Sequence, residues 1–259
     1  MPMPFAGSSA PVTVSGTIVQ GNSEFLSAVV LTQLINPGSP VVCAFWGGIM
    51  NMQVGNDLLA CPETALMNAA FSQLCRFYQI PNDAIAGTSD SKAPDAQAGY
   101  EKMMVALLPA LAGASAATHL GGLIGFASIA SFEQLVIDNE IAGNILRILD
   151  GIDVTEDRLA VDIIADVGAG GNYLTHKHTL KYLRDELYIP NLADKNVLGT
   201  WQAKGAKDIR QRARRLTKDI LENHCPPPLE KDTKKELEKE IIRICKRENY
   251  EYSPIPEFQ

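Results

Sequence analysis

Apolar residues along roughly the first 150 positions follow two alternating rhythms. Helical spacing predicts helices over residues 16–34, 62–78 and 96–112, the first closed by Asn36-Pro37-Gly38. Between them lie short apolar runs without polar alternation, at 40–46, 83–87 and 118–125. Such runs fit strands covered on both faces, as in a parallel sheet. A fourth helix is expected after Ser131, a residue type that caps helix starts, with Glu133 in the first turn where the helix end is positive. Its apolar residues Leu135, Val136, Ile141, Ile145, Leu146 and Leu149 recur at roughly helical spacing. Strand, loop and helix thus repeat, the signature of βα units around a parallel sheet.

This pattern is compatible with a (β/α) barrel and with an open doubly wound sheet. No GxGxxG follows a strand and opens a helix, so a dinucleotide fold is not favoured. The long polar loops after the strands suit the barrel, yet only three clear strands are present where closure needs eight. The chain therefore reads as α/β, the C-terminal part of a (β/α)8 barrel. The pattern changes after Gly151. A helix over 158–167 is ended by Gly168-Ala169-Gly170-Gly171, and a short amphipathic helix follows at 178–187. Two highly charged helices at 204–223 and 229–248 flank Pro226-Pro227-Pro228. Residues 1–200 are read as the barrel portion and 201–259 as a charged helical tail.

Charge sharpens that division. The chain carries a net charge of −7, but residues 1–200 hold 9 Lys/Arg against 19 Asp/Glu and residues 201–259 hold 14 against 11. The acidic part argues against a nucleic-acid surface and suits a cationic ligand, or else a solubilising surface. No run reaches the roughly 18 apolar residues that span a bilayer, and the start lacks the basic and apolar regions of a signal peptide. Cys43, Cys61, Cys75, Cys225 and Cys245 make an odd count without CxxC spacing, which fits reduced thiols in the cytoplasm.

Few residues are placed to carry chemistry. His176 and His178 stand two apart with no HxxE or CxxC nearby, so no metal site is expected. His119 is read as a strand residue, either a core histidine or part of a site. The loop Ser89-Asp90-Ser91-Lys92-Ala93-Pro94-Asp95 follows a strand and brings two carboxylates and an amine to the barrel mouth, and Glu133 stands at the equivalent place in the next unit. Phe45, Trp46, Tyr100, Phe126 and Phe132 fall at the same level, either as core or as a site wall. Carboxylates with aromatic faces attract a cation that cannot donate hydrogen bonds, such as a quaternary ammonium.

Three stretches then carry a resemblance: SDSKAPDAQAGYEKMM at 89–104, GGLIGFASIASFEQLVIDNEI at 121–141, and GAGGNYLTHKHTLKYLRDELYIPNL at 168–192. With NVLGTWQAKGAKDIRQRA at 196–213, they resemble the trimethylamine methyltransferase family in the expected order over nearly the whole chain. The resemblance implies a (β/α)8 barrel that moves a methyl group from a methylamine or quaternary amine to the reduced cobalt of a corrinoid on a separate protein. No cofactor is then bound tightly by this chain. The trimethylamine-specific members carry pyrrolysine and none is written here, so a pyrrolysine-free type acting on a glycine betaine-like amine is expected. Ala169 and Asn172 depart from the family's Gly-Pro-Gly-Gly-His motif. On this reading Asp90, Lys92 and Glu133 orient the substrate, while Phe45, Tyr100, His119 and Phe126 line its pocket. The expected partners are a corrinoid protein and a small amine, with neither nucleic acid nor membrane.

A second reading comes from another class. Half a barrel leaves open sheet edges and an exposed apolar interior, both prone to association. The chain would then be a truncated, non-catalytic homologue that serves as an oligomerisation or corrinoid-protein-binding module. A homo-oligomer is expected on either reading.

Overall fold

The computed structural model describes residues 1–225 and 227–252, so Pro226 of the proline run lies outside the described residues. The first elements are β1 (Phe5–Ala6), α1 (Val14–Ile35), β2 (Cys43–Phe45), β3 (Gly48–Asn51), β4 (Asn56–Leu58) and α2 (Pro62–Tyr78). They are followed by β5 (Asn82–Ile85), α3 (Ala96–Leu111) and β6 (Ala116–Thr118). The local signals act as their chemistry dictates. Thr13 caps α1, Asp95 caps α3 by accepting from the Ala98 N–H, and Pro62 stands in the first turn of α2.

Strands β2, β5 and β6 form one parallel sheet in the order β2-β5-β6, with Ala44 opposite Asp83 and Ile85 opposite Thr118. Helices α2 and α3 make the crossovers between its strands. This is the α/β arrangement that the alternating rhythms predict, in three units. The sheet has two unlike faces. Cys43 and Phe45 turn toward the helices and pack with Phe25, Met67, Phe71 and Cys75, the core between sheet, α1 and α2. On the opposite face Phe5, Leu59 and Ile85 form a second cluster flanked by Trp46 and Phe126. A separate small sheet, in which β1 runs parallel to β3 and β4 antiparallel to it, had no counterpart in the expected elements. A two-residue strand such as β1 is too short to show a period.

The run at 118–125 is the main correction. The strand ends at Thr118, because His119 takes φ 74° and turns the chain out of the sheet. A hairpin follows, β7 (Leu123–Ile124) against β8 (Ile129–Ala130), with its turn carried by positive φ at Gly125, Phe126 and Ala127. Gly125, which looked like the end of a strand, enters the turn at no steric cost, while Phe126 and Ala127 are held in the same left-handed region. Gly87 matters for the same crossing. A Cβ there would lie 2.0 Å from the Leu120 nitrogen and 2.1 Å from the His119 carbonyl carbon.

Helix α4 (Phe132–Leu149) opens at the Ser131 cap, as expected. The helix expected over 158–167 is instead two, α5 (Glu156–Leu159) and α6 (Val161–Val167), broken where Ala160 adopts φ 52°. Gly168 ends α6 at φ 67°. The remaining helices are α7 (Lys177–Glu186), α8 (Leu198–Ala203), α9 (Ile209–Asn223) and α10 (Lys231–Arg247). His176 caps α7, its ring accepting from the His178 N–H at 3.1 Å. The chain forms two compact units, Met1–Arg215 and Leu216–Gln259; the first contains both sheets and the hairpin, and α10 belongs to the second. No helix among the described residues is long and apolar enough to cross a membrane.

Candidate functional site

The loop from β5 to α3 is built as a rigid object. Thr88, Ser89, Asp90 and Ser91 are all buried. Buried Glu101, two turns into α3, accepts from the Ser89 hydroxyl at 2.7 Å and the Asp90 N–H at 2.8 Å. Its other oxygen accepts from Gln97 at 2.8 Å. The Ser91 hydroxyl lies 2.9 Å from the cap residue Asp95, whose acidity the Ala98 N–H strengthens. The hairpin docks on this loop: the Gly125 N–H donates to the Ser91 carbonyl at 2.7 Å and the Phe126 N–H to the Ser89 carbonyl at 3.1 Å.

Asp90 is the charged group of the loop with acceptor capacity to spare. One carboxylate oxygen accepts from the Ala60 N–H at 3.1 Å, while Oδ1 is buried with no hydrogen-bond partner. Burial raises its carboxyl above the usual range, opposed by the Ala60 and Leu59 amides. Lys92 is exposed and its ammonium folds back to donate to the Asp90 carbonyl at 2.7 Å.

A second group lies at the ends of β2 and β6, on the sheet face turned away from the helices. The rings of Trp46 and His119 meet edge to face with centroids 4.4 Å apart. His119 Nδ1 is 2.9 Å from the Thr118 hydroxyl, which donates to Asp83 Oδ2 at 3.3 Å. Asp83 Oδ1 and Trp46 Nε1 are both buried and without a hydrogen-bond partner. Burial raises the Asp83 carboxyl and lowers the His119 imidazole, and the two partly offset this by mutual attraction. Phe126 packs near Phe5, ring centroids 6.4 Å apart.

The expected site residues therefore separate. Asp90 and Lys92 share one loop, Phe126 is hydrogen-bonded to that loop through its backbone, and His119 stands at the end of β6. Glu133 lies in the first turn of α4, where it accepts from its own cap, Ser131, at 3.2 Å. Phe45 is on the other side of the sheet, 1% exposed and stacked on Phe71 at 3.8 Å. Strand alternation sends its neighbour Trp46 to the inner face instead. Tyr100 is 62% exposed on α3, away from that helix's buried face. Asp83 went unrecognised as a site residue, although a carboxylate within an apolar strand was its signal. No cluster of three or more metal-binding side chains occurs among the described residues.

Beneath both groups lies a buried ion pair. The Lys102 ammonium on α3 bonds to the Gly87 carbonyl and to Asp138 of α4, which also accepts from the Gly122 N–H at 2.7 Å and from Gln134 at 2.8 Å. It ties the chain leaving β5 to the chain leaving β6.

Comparison with known proteins gives the chain its relatives. A family model described as trimethylamine methyltransferase (MTTB) matches residues 1–249. A glycine betaine methyltransferase of Desulfitobacterium hafniense (strain Y51) is 39% identical over 233 residues, which is 90% of this chain and 48% of that protein. A trimethylamine methyltransferase MttB of Methanosarcina thermophila is 39% identical over 236 residues, 91% of this chain and 48% of that protein. The chain spans about half the length of the curated relatives it matches.

Proposed function

The chain belongs to the trimethylamine methyltransferase family, and on that premise we propose that it is part of an enzyme moving a methyl group from a quaternary or tertiary amine to the cobalt of a corrinoid carried by a partner protein. The amine is glycine betaine-like or trimethylamine; a glycine betaine methyltransferase stands among the relatives beside trimethylamine enzymes. The observation that carries the reading is the inner face of the sheet and the loop beyond it, where Trp46, His119 and Phe126 stand with two carboxylates, Asp83 and Asp90, that each keep one buried oxygen without a donor. An ammonium without N–H groups is held by ring faces and anionic charge, and needs no hydrogen-bond partner.

The partner's reduced cobalt supplies the nucleophile. This chain's share is to hold the cation with one methyl toward the barrel mouth and to keep water away. As the carbon–nitrogen bond breaks, its electron pair stays on nitrogen, so a quaternary substrate leaves as a neutral amine and needs no proton. Asp90 supplies negative charge near the cation. Lys92 and Glu133 orient the polar end of the substrate, and His119 and Phe126 wall the pocket. Phe45 and Tyr100 have no part in it, given where they lie. We read residues 1–200 as part of a (β/α)8 barrel and 201–259 as a charged tail, with the corrinoid protein docking over the C-terminal ends of the strands. A homo-oligomeric assembly in the cytoplasm belongs to the same reading.

The test is methyl transfer to free reduced cobalamin, followed by its absorbance, with glycine betaine and trimethylamine in parallel. Turnover of glycine betaine is the expected result. No turnover of either by the folded chain counts against the enzyme reading.

A further inference from the structure

We propose that Asp83 is the residue that takes the ammonium group of the substrate, against the ring of Trp46. This rests on the amine reading above and names which of its carboxylates meets the cation.

Asp83 lies on β5, between Ala44 of β2 and Ala116 of β6 in register, so its side chain belongs to the inner face, together with Ile85 and Thr118. One carboxylate oxygen takes the Thr118 hydroxyl; the other is buried and takes nothing. A buried carboxylate oxygen without a donor is costly, and native structures seldom retain one without a reason. The cationic group that acts on Asp83 does little to relieve this, because His119 is itself held toward its neutral form by burial. Thr118 is neutral. The site therefore has an anion that is under-compensated by the protein itself.

The ligand class follows from the unfilled atom. A primary ammonium or guanidinium would demand several acceptors in fixed directions. A methylated ammonium presents only C–H groups with diffuse positive charge, so it compensates the carboxylate by charge alone and lies flat on an indole. Trp46 is within reach of the same cluster through His119, and its Nε1 is likewise unpaired. That N–H is suited to a carboxylate oxygen at the far end of a betaine. Asp90 also keeps one oxygen without a donor, but it stands in the loop beyond β5 that Glu101, Ala60 and the hairpin hold, whereas Asp83 shares the inner face of the sheet with Trp46 and Thr118. Asp83 is accordingly the carboxylate that meets the ammonium directly, and Asp90 adds negative charge from the rim.

The experiment is calorimetric titration of the full chain and its Asp83→Asn variant with glycine betaine and with 3,3-dimethylbutanoate, its uncharged-carbon isostere at the ammonium end. The wild type is expected to prefer glycine betaine. Asp83→Asn should lose about tenfold in glycine betaine affinity while binding the isostere unchanged. Asparagine relieves a buried charge, so the variant should fold; Trp46→Leu provides a second arm, expected to weaken glycine betaine about tenfold as well. Equal glycine betaine affinity for wild type and Asp83→Asn overturns this assignment and leaves the amine reading standing. A folded wild type that binds no glycine betaine overturns both.

Discussion

The Lys102 ammonium lies 2.9 Å from the Asp138 carboxylate, and both side chains are wholly withdrawn from solvent. Burial lowers the lysine's pKa and the neighbouring carboxylate holds it up. Each partner also bonds to backbone from a different loop, so the pair is satisfied as a unit. Removing one partner strands the other charge. Lys102→Met and Asp138→Leu should each cost about 3–5 kcal/mol of stability in urea denaturation. The double variant should cost less than the sum, because no buried charge remains unpaired. Simple additivity would show that the pair is not coupled as described.

Glu101 holds the post-β5 loop from below. Glu101→Ala leaves the Ser89 hydroxyl and the Asp90 N–H without their acceptor, which should cost about 1–3 kcal/mol. Hydrogen exchange at the Asp90 amide should speed up while the α2 core keeps its protection. Unchanged exchange at Asp90 would mean that the loop is held by other contacts.

Phe45 and Tyr100 should behave in opposite ways. Phe45→Ala opens a hole against Phe71 in the core, costing about 3–5 kcal/mol. Tyr100→Ala, on an exposed helix position, should stay within about 0.5 kcal/mol and leave amine binding unchanged. A loss of glycine betaine affinity in Tyr100→Ala would return Tyr100 to the pocket.

His119 sets an acid limit. Its imidazole is held below the ordinary value, chiefly by burial and also by Lys102, with Asp83 and the Thr118 backbone pulling the other way. A depressed folded-state pKa favours the neutral ring. That contribution is present above the unfolded pKa of about 6.5 and is lost as pH falls through the lower folded value. His119→Asn should flatten the decline in melting temperature between about pH 7 and pH 5. An identical decline in wild type and variant would remove His119 from that role.

The helices were legible because their ends are written in specific residues: Asp95 before α3, Ser131 before α4 and Gly168 after α6 all act locally. Strand positions were legible only approximately. The run 40–46 is apolar on both sides, so nothing in it distinguishes Phe45, which faces α2, from Trp46, which faces inward. That choice is made by pairing with β5, a long-range contact. The glycine run after Thr118 read as a strand because apolar content outweighed its turn potential. Asp83 escaped for a related reason: its meaning depends on Thr118 and His119, which lie 35 and more positions away.

The bonding of Glu101 to Ser89 and Asp90 makes loop length and helix phase a single quantity. Each residue of an α-helix advances by about 100°. One residue inserted between Asp95 and Glu101 would swing the glutamate off the loop by that angle while leaving the Asp95 cap in place. Descendants of this sequence can therefore vary side chains at the exposed positions of this segment, such as Ala96 and Tyr100, but gaps and insertions in an alignment of relatives should fall outside residues 89–101.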